Sequence, residues 1–307
     1  MATAGKTLPP QSRATIFALL AVLCWSTVAT AFKLSLQHLS ANQLLFLASL
    51  VATFALSLIL WWQGQFNQLF VQSGKVYTRS FGFGLLNPLL YYVVLFAAYE
   101  QLPAQEAQAL NYSWAIVLTL LAVPLLGHRL GPFDLLAAAV CYLGVLVIAT
   151  RGSVLSLDFS NLQGVSLALL STIIWSVYWI LNKRDDRPPL LGLTLNFIFS
   201  LPVLALLLLF TGEWRIFISG LSLAGWLGGI YVGIVEIALG FAFWLQAMKY
   251  AVNTSRIANL IFLSPFLSLI FISTILGESI MMSTLVGLGL IVAGLLIQQG
   301  FGVKIEE

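Results

Sequence analysis

Apolar residues along this chain do not alternate; they run on for about 20 positions at a time and give way to short polar stretches. Ten such runs lie near 14–35, 41–61, 80–101, 105–126, 132–150, 164–182, 190–210, 225–247, 256–276 and 281–299. Each has the length an α-helix needs to cross roughly 30 Å of hydrocarbon. The pattern therefore predicts an all-α integral membrane fold of ten transmembrane helices. The connections are short except 62–79, 151–163 and 211–224, which leaves no room for a soluble domain. One acid, Glu236, stands inside the eighth run, Gly225 to Ala247. It is about 11 residues from either end, roughly 16 Å along a helix, and so at the depth of the bilayer midplane. An ionisable group there is costly unless it is protonated, paired or hydrated, which makes it a functional candidate. Gly229, Gly233 and Gly240 share its helical face, a stripe that is either a packing seam or a cavity wall.

Composition agrees with the pattern. Of 307 residues 60% are hydrophobic and 8% charged, with a mean hydropathy of +0.98, too little polar surface to face water. The net charge of +3 is scattered through connections and forms no basic and aromatic patch, which excludes a nucleic-acid partner. Cys24 and Cys141 lie in apolar runs without a CxxC, and His38 and His128 sit in connections without ligand-spaced partners. No metal or cofactor is expected. Neither a GxxxxGK[ST] motif nor a Ser-His-Asp set at a common depth is present, so the chain reads as no enzyme and no nucleotide-driven pump. Lys6, Arg13 and Ala29-Thr30-Ala31 look like parts of a signal peptide, but the first run is too long for one and has a twin later in the chain. It is read as a retained helix.

Lys and Arg set the orientation. With a cytoplasmic N-terminus, Lys6, Arg13, Lys75, Arg79, Arg129, Lys183, Arg184, Arg187, Lys249, Arg256 and Lys304 fall inside, and only Lys33, Arg151 and Arg215 fall outside or near that edge. Both termini are then cytoplasmic, with Trp61 and Trp62 in the inner aromatic belt and Trp214 and Trp226 in the outer one. A shift of 150 carries Trp25-Ser26 and Lys33 onto Trp175-Ser176 and Lys183, Leu126-Gly127 onto Leu276-Gly277, and Gly144 onto Gly294. One register over so long a stretch predicts two five-helix units, 1–152 and 153–307. An odd helix count makes the second unit enter the membrane from the opposite side, the architecture of alternating-access transporters.

Ser264-Pro265-Phe266, Leu276-Gly277-Glu278, Gly287 and the stretch Gly289 to Gly294 resemble the drug/metabolite transporter superfamily, specifically its EamA family of ten-helix exporters. The first unit departs from the pattern, with His128 in the place of Glu278 and Ala115 in that of Pro265. The resemblance implies export of small metabolites, amino acids among them, through a central cavity lined by the third, fourth, eighth and ninth helices, in a bacterial inner membrane.

Glu236 is the first candidate, either exchanging a proton during the cycle or holding a cationic substrate group; the shift maps it onto Leu86, so it has no acidic mate. The substrate-binding set is Asn87, Tyr91, Asn111, Trp114, Glu236, Asn259 and Phe266. Pro88 should kink the third helix and Pro265 the ninth. Rings with a few amides suit an amphipathic or zwitterionic metabolite. Trp25 and Trp175 serve as gates or as packing between the units. Lys33 snorkels, and Glu278 stabilises a turn. With no basic group other than Lys33 inside the runs, neutral, zwitterionic or cationic cargo is expected. The function expected is secondary active export of small organic metabolites, with a passive facilitator or uptake carrier as the alternative. The inverted architecture favours reading the glycine stripe as a cavity wall.

Overall fold

The computed structural model describes residues 9–301 except 128, 156–158 and 160, and among these the regular structure is entirely helical. Ten helices are long and apolar enough to cross a membrane: α1 (Pro10–Leu36), α2 (Ala41–Trp62), α3 (Gly74–Gln101), α4 (Ala104–Leu126), α5 (Pro132–Ala149), α6 (Leu162–Lys183), α7 (Pro189–Phe210), α8 (Leu223–Tyr250), α9 (Arg256–Ile275) and α10 (Met282–Phe301). They match the ten apolar runs. The clearest difference is at α3, which begins six residues before the expected 80, because the polar turns around Lys75 and Arg79 continue the helix beyond the apolar stretch. Lys6, His128 and Lys304 lie outside the described residues, as does the side chain of Ser255.

Several of these helices are interrupted near mid-depth. Thr27 breaks α1 between Pro10–Ser26 and Val28–Leu36. In α3, Asn87 leaves helical geometry altogether (φ −142°, ψ 115°) just before Pro88. Proline cannot donate to the carbonyl four residues earlier, so the expected kink falls where the lost bond requires it. In α9 the tight turn Asn259–Phe262 precedes the regular stretch Leu263–Ile275, upstream of Pro265 for the same reason. The break in α8 is a wide, π-type turn, Val232–Leu239, with Glu236 inside it. By contrast α2, α5, α6, α7 and α10 run without a break.

Packing is symmetric under the 150-residue shift. α1 packs on α8 as α3 packs on α6, α4 on α6 as α9 on α1, and the pairs α2–α7 and α5–α10 map onto themselves. In the last pair a Cβ placed on Gly144 would come within 2.5 Å of the Gly287 carbonyl oxygen, and one on Gly294 within 2.7 Å of the Ala137 carbonyl oxygen. These are images of one contact, since 137 and 144 shift to 287 and 294. The partner number falls as the residue number rises, so α5 and α10 run antiparallel. Phe32, Leu44, Leu47, Phe96 and Phe197 fill the interior, whereas Phe54, Phe210 and Ile270 face outward, as apolar side chains do against hydrocarbon.

Candidate functional site

A cavity of about 910 Å³ runs into the bundle between α1, α3, α4, α6, α8 and α9. Its mouth lies where α6 ends and α7 begins, marked by exposed Arg129, Lys183, Pro189 and Gln299 on its wall. It extends inward to buried Glu236, Tyr92, Tyr99 and Gln108. Past Gln108 the other end is sealed by polar contacts. Glu278 accepts from the Ala104 backbone N–H (2.9 Å) at the start of α4, and Gln105 bonds to the link before α10, accepting from Met281 N–H (2.8 Å) and donating to the Ser279 carbonyl (2.9 Å). Arg151 pairs with buried Glu106 at 2.7 Å beside them. Glu278 thus does more than steady a turn: it satisfies α4's first orphan donors from the other half of the chain. Lys33 lines a shallower hollow on that sealed side, with Glu278 and Gln105, and not the main cavity.

Glu236 is 7% exposed and lines the cavity. Tyr92 donates its hydroxyl to Oε1 at 2.8 Å, Oε2 has no protein partner, and the Trp25 indole N–H donates to the Glu236 backbone carbonyl at 3.2 Å. The wide turn frees carbonyls and shifts the helical phase, so the acid faces the cavity while its glycine neighbours do not. Gly229 lies against Leu47, Gly233 against the Ala48 carbonyl and Val51, and Gly240 against the Trp25 indole. The stripe is a seam with α2 and α1, contrary to its reading as a cavity wall, because the phase change separates residues that a uniform 3.6-residue period would place together.

Rings form most of the deep wall. Tyr91 stacks on Trp175 with centroids 4.5 Å apart, and Trp25 meets Phe241 edge to face at 5.6 Å. These two contacts are also related by the 150-residue shift. Trp25 and Trp175 therefore line the cavity and pack the units at once. Asn111 and Trp114 reach the wall as expected; Asn111 donates to Ser171 Oγ at 2.9 Å, and Tyr91 donates to Asn111 Oδ1 at 3.5 Å. Asn87 is buried behind the lining, next to Tyr178. The structure does not bring Asn259 and Phe266 to the cavity. Asn259 is exposed, and Phe266 is 39% exposed on the outer side of α9. The tight turn there has three residues per repeat, which swings Ala258, Ile261 and Phe262 inward in their place. Sequence reasoning also passed over Gln108, Trp179, Phe241 and Trp244, whose signal was only their spacing from residues already singled out.

The mouth carries charge that was not expected. Arg187, assigned to a connection, folds back until 9% exposed and grips Asp185 through Nη2 at 2.5 Å and Nε at 2.7 Å. It also donates to Ser80 and lies over the Phe83 ring, while Arg79 reaches Asp185 at 3.2 Å. Burial pushes the Asp185 carboxyl up, but the hydrogen bonds and charge of Arg187, with help from Arg79, outweigh it and hold the group below its usual range. Arg129, Lys183 and Arg187, all in connections outside the apolar runs, line the mouth and add basic groups that a count within the runs does not include. A loop residue's return into the bundle leaves no hydropathy signal.

Comparison with known proteins places this geometry. The model of the EamA-like transporter family matches twice, over residues 12–150 and 162–298. A protein of Salmonella typhimurium named "Probable amino-acid metabolite efflux pump" is 28% identical over 300 residues, covering 94% of this chain and 95% of the relative. The aromatic amino acid exporter YddG of Ancylobacter novellus is 25% identical over 242 residues, 78% of this chain and 80% of that protein. An uncharacterized transporter of Clostridium kluyveri is 28% identical over 191 residues, and the match spans 59% of its length. A solved crystal structure superimposes with a TM-score of 0.63 at 23% identity, covering 92% of this chain and 96% of the other, a likeness of fold. The chain belongs to the EamA-like transporter family and is an integral membrane transporter, not an enzyme.

Proposed function

We propose that the protein is a secondary active exporter of small organic metabolites, amino acids and related zwitterions among them, working by alternating exposure of the central cavity. The observation that carries the reading is the cavity itself, open at one end, closed at the other by contacts between the start of α4 and the link before α10, and lined at mid-depth by Glu236. The units 1–152 and 153–307 are inverted copies, which is supported by the antiparallel α5–α10 contact and the paired ring contacts that the 150-residue shift exchanges. Rocking such halves about a central site exchanges the open and sealed ends. The excess of Lys and Arg favours a cytoplasmic side for both termini and the mouth, so that in a bacterial inner membrane the cavity would face the cell interior. The names of the Salmonella and Ancylobacter relatives favour amino-acid-like cargo with an aromatic part, which the ring-rich wall suits.

Glu236 carries the coupling proton. Tyr92 donates to it, Tyr91 and Tyr99 are the further titratable groups that interact with it, and among the described residues no ion pair includes it. A passive facilitator or uptake carrier is the second reading, since the fold alone does not fix the driving force. Purified protein in proteoliposomes loaded with a panel of amino acids and amines separates the two. The exporter moves at least one cargo faster when a pH gradient is imposed; gradient-independent flux of every cargo makes it a facilitator.

A further inference from the structure

Several unmatched polar atoms on the deep wall share one chemical bias. Oε2 of Glu236 and Oε1 of Gln108 are acceptors without a protein partner, and the Trp179 indole N–H is a lone donor. The other acids lining the cavity are committed near the mouth, Asp185 to Arg187 and Arg79, and Asp134 to the Gly131 backbone N–H at 2.8 Å. Among the described residues lining the cavity Glu236 is thus the one carboxyl at depth, and an ionised carboxylate in such surroundings is stable only with a counter-charge. Tyr92 supplies a neutral hydrogen bond to one oxygen and leaves the other for a ligand. Around it stand Tyr91, Trp175 and Phe241, whose π faces attract a cation by their quadrupoles.

We propose that the seat beside Glu236 takes a primary ammonium attached to an aromatic or branched apolar body, that is, an organic amine in preference to the corresponding amino acid or carboxylic acid. A carboxylate one carbon from the ammonium would find only neutral donors on the deep wall, the Trp179 indole N–H and the Gln108 amide, while Arg129 and Lys183 stand out at the mouth. Arg187 cannot serve it, because its guanidinium already holds Asp185 and Ser80. The body of the ligand lies against the ring wall formed by Tyr91, Trp175 and Phe241 while the ammonium donates to the free carboxylate oxygen. This rests on the cavity being the cargo site, and among the small organic metabolites proposed above it sets amines ahead of amino acids.

The test is binding by the full chain in detergent, read by calorimetry, with three ligands that share an indole ring. Tryptamine carries only the ammonium, tryptophan both charges, and indole-3-propionate only the carboxylate. Tryptamine is expected to bind about ten- to a hundredfold more tightly than indole-3-propionate, with tryptophan between, and Glu236→Gln to remove most of that margin. Equal affinity for the three, or a margin unchanged in a Glu236→Gln protein of normal melting temperature, overturns the proposal. Should that variant fail to fold, the wild-type ligand order decides alone. Charge-selective binding with gradient-independent flux would keep the amine seat and refute the coupled exporter; charge-blind binding with gradient-driven efflux would do the reverse.

Discussion

Two carboxylates in this wall illustrate opposite solutions to burial. Asp185 has both oxygens taken by guanidinium groups, so its charge is neutralised within the protein, whereas Glu236 keeps one oxygen free beside a single tyrosine hydroxyl. The first arrangement is structural, tying the start of α3 to the link between α6 and α7 through Ser80, Arg79 and Arg187. Because the folded-state carboxyl of Asp185 is held below its usual value, the cluster contributes stability above the ordinary aspartate value of about 4 and loses it as pH falls through the lower folded value. Asp185→Asn should lower the melting temperature at pH 7 and flatten its fall in acid; a variant as acid-sensitive as the wild type would show that the cluster contributes nothing. The residue scale is also where sequence reading was weakest. Glu236 stood out because an acid in an apolar run has no other explanation, yet Arg187 was unreadable because nothing in a polar connection says that it turns inward.

At the level of helices, the runs were legible and the faces were not. Twenty apolar residues in a row fix the existence of a span, but which side looks inward depends on the helical phase, and phase changes wherever the turn widens or tightens. The wide turn in α8 separated Glu236 from the glycine stripe, and the tight turn in α9 turned Asn259 and Phe266 away from the cavity. Where helices are unbroken, as in α5 and α10, the sequence register carried through to the contact, and Gly144 with Gly294 mark two equivalent crossings. That close approach predicts a contrast within α10. Gly287→Val forces a side chain against α5, where the added Cβ already meets the Gly144 carbonyl oxygen at 2.6 Å, and should cost about 1–3 kcal/mol. Gly289→Ala, with open space around its Cβ, should be neutral or gain up to about 1 kcal/mol. Thermal melts of the two variants in detergent check this; equal effects would mean that the crossing is not tight.

For the whole molecule, one end of the cavity is closed by contacts between distant parts of the chain and the other end is open. The seal is made by Gln105 and Glu278 from different units, and the mouth by the corresponding end of the bundle, where the chain is basic. The ten-helix count and the family were readable from sequence because they depend on length, spacing and composition summed over many residues. The cavity's end-to-end asymmetry was not, since a repeat alone gives no conformation; only the absence of an acid at Leu86 hinted that the halves differ in chemistry. The central claim is that Glu236 in this cavity couples the proton gradient to cargo. Its most direct test is efflux from proteoliposomes by wild-type and Glu236→Gln protein, with and without a pH gradient, at matched melting temperature. Gradient-driven efflux should fall to background in Glu236→Gln; full proton-driven efflux by that variant would contradict it.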